Sequence, residues 1–233
     1  MIRPRGPGDR IARMRLLVAM LASLSLQAAA APFAASIGGE RLVLDAVPGM
    51  SDALPLGSPR VTELAESLTS ASNRILLFAL TDSDIRRFGS GEKLDLRRYM
   101  LLVTPGHLER ERVTPEQFKL LVDDARRDVG EPANPADFAK YLEDRPEGRP
   151  SPLMRLREGD GIFSVLVGTK LPGSGAGWWS KPEFVLSTST FLLLRGKAVS
   201  LSVYTAYSGP QDLEWIRFVT ERWVDTLQKL NAR

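Results

Sequence analysis

The last third of the chain contains the pattern that most restricts how it can fold. Residues 198–207, AVSLSVYTAY, alternate between apolar and polar side chains. A period of two over ten residues predicts a strand with one buried face and one wetter face, as in an antiparallel sheet. The buried face is predicted to hold Val199, Leu201, Val203 and Tyr207. The wetter face is predicted to hold Ser200, Ser202 and Tyr204.

An amphipathic helix is predicted immediately after this strand, over residues 209–231. Trp215 and Phe218 lie at the margins of its apolar stripe, and Asp225 and Lys229 form an i,i+4 pair on the opposite side. The stripe recurs at helical spacing and consists of Leu213, Ile216, Val219, Trp223, Leu227 and Leu230. Since the helix follows a strand hairpin directly, we expect it to pack on the sheet.

Strands and helices are interleaved in the rest of the chain. A capping box at Thr114 and Gln117 marks the clearest helix start. Further strands are predicted in residues 41–50, 73–82, 96–106, 161–171 and 182–194, and further helices in residues 58–73, 114–130 and 134–145. The pattern predicts an α+β fold, with a mostly antiparallel sheet covered by helices. Helices on both faces would make it an α/β/α sandwich, with the C-terminal helix packed on the sheet.

The N-terminus is typical of a secretory signal peptide. Five arginines precede a short apolar run over residues 16–26, and small residues between Ala28 and Ala31 offer cleavage positions. We therefore expect residues 1–30 to be the signal, residues 31–39 to be a flexible N-terminus, and residues 40–233 to form a single α+β domain. Export would follow the general secretory route to the periplasm or the medium. An uncleaved N-terminal anchor is the alternative, and the short apolar run disfavours it.

Charge and cysteine content restrict the partners and the chemistry. The chain has 31 Lys and Arg against 28 Asp and Glu, but residues 1–30 hold five Arg and one Asp, which leaves 26 against 27. A nearly neutral mature domain gives no electrostatic reason to expect nucleic acid or anionic lipid as partner. Because the chain has no cysteine, disulfides, thiolate metal sites and a cysteine nucleophile are excluded.

The glycine-rich stretch GSGAGWW, residues 173–179, resembles a phosphate-binding loop only superficially. Such a loop works by leading into a helix N-terminus, whereas this one leads into Pro182 and a predicted strand. We therefore expect no nucleotide cofactor. Trp178 and Trp179 are candidates for ligand or partner binding, because large aromatics beside glycines can stack on a ring or anchor a protein. The alternative is that they cap the edge of the core.

Catalytic and metal-binding arrangements are not evident in the sequence. His107 is the only histidine, and neither Ser90 nor Ser174 lies in the strand-to-helix elbow of a serine hydrolase. Asp82 and Asp84 follow a strand, a position that fits helix capping as well as cation binding. We predict no catalytic residue, metal site or cofactor. Ser200, Ser202 and Tyr204 are candidate ligand-binding residues, since a hydroxyl-lined strand face can form a groove, although ordinary sheet alternation also explains them.

The order of elements resembles the Mog1/PsbP-type α/β/α sandwich. The likeness covers residues 40–230: a strand with a Pro-Gly turn, LVLDAVPGM, interleaved helices and strands, then a late hairpin closed by a C-terminal helix. Met50 stands where members often carry a tryptophan. The resemblance implies a small exported domain, and the group shares no catalytic set that could be carried over.

The predicted function is that of a non-catalytic binding or accessory domain, which recognises an envelope protein or a small ligand in the periplasm. An envelope hydrolase with dispersed acidic residues is the alternative. A structural partner of a membrane complex, held by an uncleaved signal, is a third hypothesis. Contact with the membrane is expected only through such a signal.

Overall fold

A computed structural model describes residues 31–172 and 184–232 of the protein. The strands are β1 Phe33–Ile37, β2 Glu40–Leu44, β3 Met50–Asp52, β4 Asn73–Thr81, β5 Arg98–Pro105, β6 Pro150–Gly159, β7 Ile162–Lys170, β8 Phe184–Leu194 and β9 Lys197–Tyr207. The helices are α1 Pro59–Ser67, α2 Asp82–Gly89, α3 Pro115–Val129, α4 Phe138–Glu143 and α5 Pro210–Asn231. Two 3-10 turns, Leu54–Leu56 and Gly106–Leu108, complete these elements.

Seven strands form one sheet in the order β3-β4-β5-β9-β8-β7-β6, and β1 and β2 form a separate hairpin. Every strand pairing in the described part of the chain is antiparallel. The predicted α+β class with an antiparallel sheet is therefore confirmed. The long β8–β9 hairpin lies in the middle of the sheet, so the strand with the clearest alternation is central.

The first face of the sheet carries the largest apolar cluster. It is covered by α5, α4 and the β1–β2 hairpin. Trp223 of α5 is completely buried there and donates its indole N–H to the Asp45 carbonyl oxygen at 2.7 Å. Leu142 of α4 packs directly on Gly168, where a Cβ atom would lie 2.7 Å from a leucine methyl. Packing of α5 on the sheet is as predicted.

Two separate apolar clusters lie on the second face. One lies where α1 and α2 cover β4 and β5, with Phe78, Leu80 and Leu101 in its centre. The other lies where α3 covers β7 and β8, around Phe163 and Val165. The capping box of α3 forms as predicted. Helices therefore lie on both faces, and on the second face they leave a strip between them.

Three local predictions are wrong. Residues 31–39 are not a flexible N-terminus, because β1 pairs with β2 along its whole length and buries Ile37. The helix expected from Asn134 begins at Phe138, with Asp137 as its cap. Asp225 is bonded to Arg157 of β6 instead of pairing with Lys229.

Candidate ligand-binding site

The strip of the second face that lies between the described helices consists of hydroxyl-bearing side chains on β8 and β9. All are half-buried, and we call them the hydroxyl strip: Ser187, Ser189, Ser200, Ser202 and Tyr204. On one side Ser202 is the cross-strand partner of Leu101, which belongs to the cluster under α1 and α2. On the other side Ser189 is the partner of Val165, which belongs to the cluster under α3. The strip therefore lies between two helical covers.

The two-residue period of the strand explains why the β9 members of the strip lie on the second face. The apolar face of β9, with Leu201 and Val203 fully buried, packs under α5. Since successive side chains point to opposite faces, Ser200, Ser202 and Tyr204 must lie on the second face. The structure thus brings these three predicted residues together.

Tyr204 contributes an aromatic surface to the strip. Its ring stacks on that of Tyr99 in β5, with centroids 4.5 Å apart and planes at 14°. Tyr99 in turn meets Phe78 edge to face at 6.4 Å. The cross-strand partner of Tyr204 on the β8 side is the small Ser187. One ring face is thus covered by Tyr99, and the neighbouring strand on the other side carries only a small side chain at this register.

Both phenols retain their protons at neutral pH. Burial raises the pKa of Tyr204, and a side-chain hydrogen bond with Ser202 partly offsets the rise. Burial also raises the pKa of Tyr99, and the neighbouring Tyr204 adds a smaller rise. A neutral phenol donates as well as accepts hydrogen bonds, as do the serine hydroxyls beside it.

A cavity of about 410 Å³ adjoins the Tyr99–Tyr204 pair. We call it the aromatic cavity, and its volume falls in the range of small-molecule pockets. Its apolar lining consists of Leu68, Leu96, Tyr99, Leu171, Val185, Tyr204 and Ala206, and its charged lining is Asp95 and Arg97. Apolar walls with a few polar groups are the usual composition of a ligand site.

A larger cavity of about 600 Å³ lies between α3 and the β6–β7 turn. Phe118 and Ile162 form part of it, and Glu158 at its rim is already bonded to Arg126 and Arg155. Of the predicted binding residues, the three that the structure describes, Ser200, Ser202 and Tyr204, do not line this cavity. It therefore adds nothing to the hydroxyl strip, and we assign the candidate site to the aromatic cavity.

Of the other residues considered from the sequence, those that the structure describes lie outside the candidate site. His107 is exposed in the 3-10 turn after β5. Asp84 is buried at the start of α2, where it accepts the Thr81 hydroxyl and the Asp95 amide. Asp82 accepts the Ser51 hydroxyl at 2.7 Å. Trp178 and Trp179 lie outside the described residues.

Within residues 31–172 and 184–232, no group of three or more His, Cys, Asp or Glu is arranged to hold a metal ion. In the same ranges no helix combines the length and hydropathy needed to cross a bilayer.

Tyr99, Leu96 and Arg97 are the site residues that sequence reasoning missed. Tyr99 lies in an apolar run, YMLLV, in which the two faces of the strand look alike. The register between β5 and β9 places Tyr99 beside Tyr204. The double arginine of LRRYM is the one local signal of a charged rim.

Comparison with known proteins gives one distant likeness. No protein-family model and no curated protein matches the chain. Among solved structures, the 1.9 Å crystal structure of the Saccharomyces cerevisiae Ran-binding protein Mog1p is similar at 14% identity and a TM-score of 0.33. The match covers 87% of this chain and 93% of that chain. No residue role follows from this likeness.

Proposed function

We propose that this chain is an exported, non-catalytic binding domain that recognises a small ring-bearing ligand of the cell envelope. The observation that carries the proposal is the hydroxyl strip, left between two helical covers and joined to the aromatic cavity by Tyr204. A sugar ring is the ligand class that fits best. Its apolar face would pack against an aromatic side chain, and its hydroxyls would bond to other hydroxyls.

The geometry supports this ligand class in a second way. The ring of Tyr204 is held by its stack on Tyr99, and the strip lies on central strands of the sheet. Sites on strands are held more rigidly than sites on loops. A ligand would therefore meet an already ordered surface, so little entropy would be lost in ordering the protein on binding.

Export is part of the same proposal. The arginine-rich start, the short apolar run and the small residues at 28–31 support it. The first described strand begins at Phe33, so cleavage between Ala28 and Ala31 would leave every described element intact. Mass spectrometry of the protein from a periplasmic fraction is expected to give a mature N-terminus within residues 29–32. A mass that includes residue 1 would contradict export with cleavage.

Binding is tested by NMR titration with N-acetylglucosamine and its β-1,4-linked trimer. We expect shift changes centred on β8 and β9 around Ser202 and Tyr204. Tyr204→Ser, which removes the ring, should weaken binding about tenfold, the equivalent of 1.4 kcal/mol. Tyr204→Phe should weaken it less, because stacking is kept. Tyr141→Phe, on α4, is the matched control.

Two results would contradict the proposal. One is the absence of shift changes with either sugar, and the other is a set of changes located away from the strip. Release of reducing ends from envelope glycan, abolished by one Asp or Glu substitution, would instead favour the envelope hydrolase.

A further inference from the structure

A second, polar cavity of about 270 Å³ lies beside the aromatic cavity. Asp95 and Arg97 line both cavities, so the two adjoin along this segment. The polar cavity also contains Arg87, Arg98 and Asp212. A ligand whose ring lies at Tyr204 would therefore reach the polar cavity with a substituent.

The buried charges of the polar cavity are engaged in internal contacts. Asp212 is 6% exposed, and it binds the Arg98 guanidinium and the Ser208 amide, each at 2.9 Å. Arg98 also lies over the ring of Trp215, 4.2 Å from its centroid. Asp84 is 2% exposed and accepts the Asp95 amide at 2.9 Å. These groups hold α2, α5 and the segment before β5 together.

The exposed arginines differ from this internal network. Arg97 donates to the neutral Ser208 hydroxyl at 2.9 Å, and within the described ranges neither it nor Arg87 forms an ion pair with a carboxylate. A guanidinium has five donors in a planar fork that matches carboxylate and phosphate. Asp95 is the one exposed carboxylate that lines this cavity, against two exposed arginines. The exposed part of the lining therefore offers guanidinium donors to an anion.

The backbone that carries Arg97 is held firmly. Its carbonyl oxygen accepts the Ala206 amide at 2.9 Å, and the amide of Asp95 is fixed by Asp84. Leu96, between them, has a left-handed φ of 52°. A non-glycine residue keeps such a conformation only where its surroundings determine it, and such residues cluster at ligand sites.

We propose that the ligand carries a carboxylate or phosphate next to its ring, and that Arg97 binds this anionic group while Tyr204 packs on the ring. The inference rests on the proposed binding function and specifies its ligand class as an anionic sugar. Arg87, which also lines the polar cavity, adds positive potential.

The experiment compares sugars that share a ring and differ in charge. N-acetylglucosamine is neutral, N-acetylmuramic acid adds a carboxylate, and N-acetylglucosamine 6-phosphate adds a phosphate. We expect the protein to bind at least one anionic sugar about tenfold more tightly than the neutral one, as for a charge-assisted hydrogen bond. Arg97→Gln should remove the difference in affinity between the anionic and the neutral sugars. Tyr204→Ser should weaken the binding of all three sugars.

Arg86→Gln, which removes an exposed arginine of α2 outside both cavities, is the matched control and should keep the preference. Whichever anionic sugar binds more tightly identifies the group that Arg97 recognises. Equal affinity for charged and neutral sugars, or a preference that survives Arg97→Gln, would overturn this inference and leave the binding function standing. No binding of any sugar would overturn both.

Discussion

Tyr99 and Tyr204 show how two residues from distant parts of the sequence form one surface. They are cross-strand partners on β5 and β9, and their rings stack at 4.5 Å. The same packing that makes this surface also removes water from both phenols. This loss of water affects the stability of the protein only at a pH at which the phenols would ionise.

We expect the stability of the protein to fall above pH 10 in a way that depends on this pair. Burial raises the pKa of both phenols in the folded state, while an unfolded tyrosine ionises near pH 10. Below pH 10 both states keep these protons, so stability is unaffected. Above it the unfolded state loses them first, and unfolding becomes more favourable by up to about 1.4 kcal/mol per pH unit for each phenol.

Urea unfolding at a series of pH values from 8 to 11 measures this dependence. Tyr99→Phe should flatten the alkaline part of the curve, because phenylalanine has no proton to lose. Tyr141→Phe, on α4, should retain the slope of the unsubstituted protein. An unchanged slope in Tyr99→Phe would show that the Tyr99 phenol does not resist ionisation in the folded state.

The candidate site could be predicted from the sequence only where its pattern is local. Ser200, Ser202 and Tyr204 follow from the period of a single strand, and they lie on one face as expected. Tyr99 depends on the register between two strands about a hundred positions apart, and a period within one strand carries no information about its partner. Arg97 likewise enters the site through long-range contacts: its own carbonyl accepts the Ala206 amide, and the amide of the nearby Asp95 is bonded to Asp84.

Predicted element boundaries are wrong for the same reason, because they depend on contacts with distant residues. Asn134 followed by Pro135 looks like a helix start, but the Asn134 amide bonds to the Leu153 carbonyl and the Ala133 amide to that of Pro152. This segment therefore extends along the outer edge of β6, and the helix begins only after Asp137. Residues 31–39 contain only two large apolar side chains, Phe33 and Ile37, yet β1 forms because β2 offers it a paired edge.

Asn231 joins two elements that the sequence places at opposite ends of the domain. Its side-chain oxygen accepts the Val43 amide at 2.9 Å, and its side-chain NH₂ donates to the Val43 carbonyl at 2.8 Å. The same NH₂ group donates to the Leu227 carbonyl. The side-chain amide thus pairs with β2 as a strand residue would, and it attaches the last turn of α5 to the hairpin.

Asn231→Asp should be strongly destabilising at pH 7. The carboxylate cannot donate, so the Val43 and Leu227 carbonyls would face a buried charge. We expect a loss of about 2–4 kcal/mol in the free energy of unfolding, measured in urea. Lys229→Ala, at an exposed position of the same turn, should change it by less than about 0.5 kcal/mol. Equal free energies of unfolding for the two variants would show that this attachment does not stabilise the protein.

On the scale of the whole molecule, the two faces of the sheet are covered in different ways. The first face is closed by the long α5, the short α4 and the β1–β2 hairpin, which share a single cluster. The second face is covered by shorter helices over separate clusters, with the hydroxyl strip between them. The first face therefore supplies the continuous core that holds the strands in register, and on the second face the described helices leave the central hydroxyl strip between them.

This division predicts that α5 cannot be detached without loss of the fold. Ile216, Val219, Trp223 and Leu227 are all buried against the sheet. At 1.5–3 kcal/mol for each large apolar side chain, they contribute roughly 6–12 kcal/mol, comparable to the whole stability of an ordinary domain. A chain that ends at Gly209 should consequently be insoluble or unfolded. A soluble truncated protein with a cooperative unfolding transition would contradict the argument.

Hydrogen exchange tests the same prediction in the intact protein. Peptides from α5, β8 and β9 should exchange at a common slow limit, because their amides open only when the whole core unfolds. Peptides from α2, whose outer side is exposed and which covers only part of the second face, should exchange faster. Asn231→Asp should first accelerate exchange in β2 and the last turn of α5, since those segments lose their attachment. Rapid exchange of α5 with slow exchange of β9 would show that the helix opens independently, and the proposed role of the first face would then be wrong.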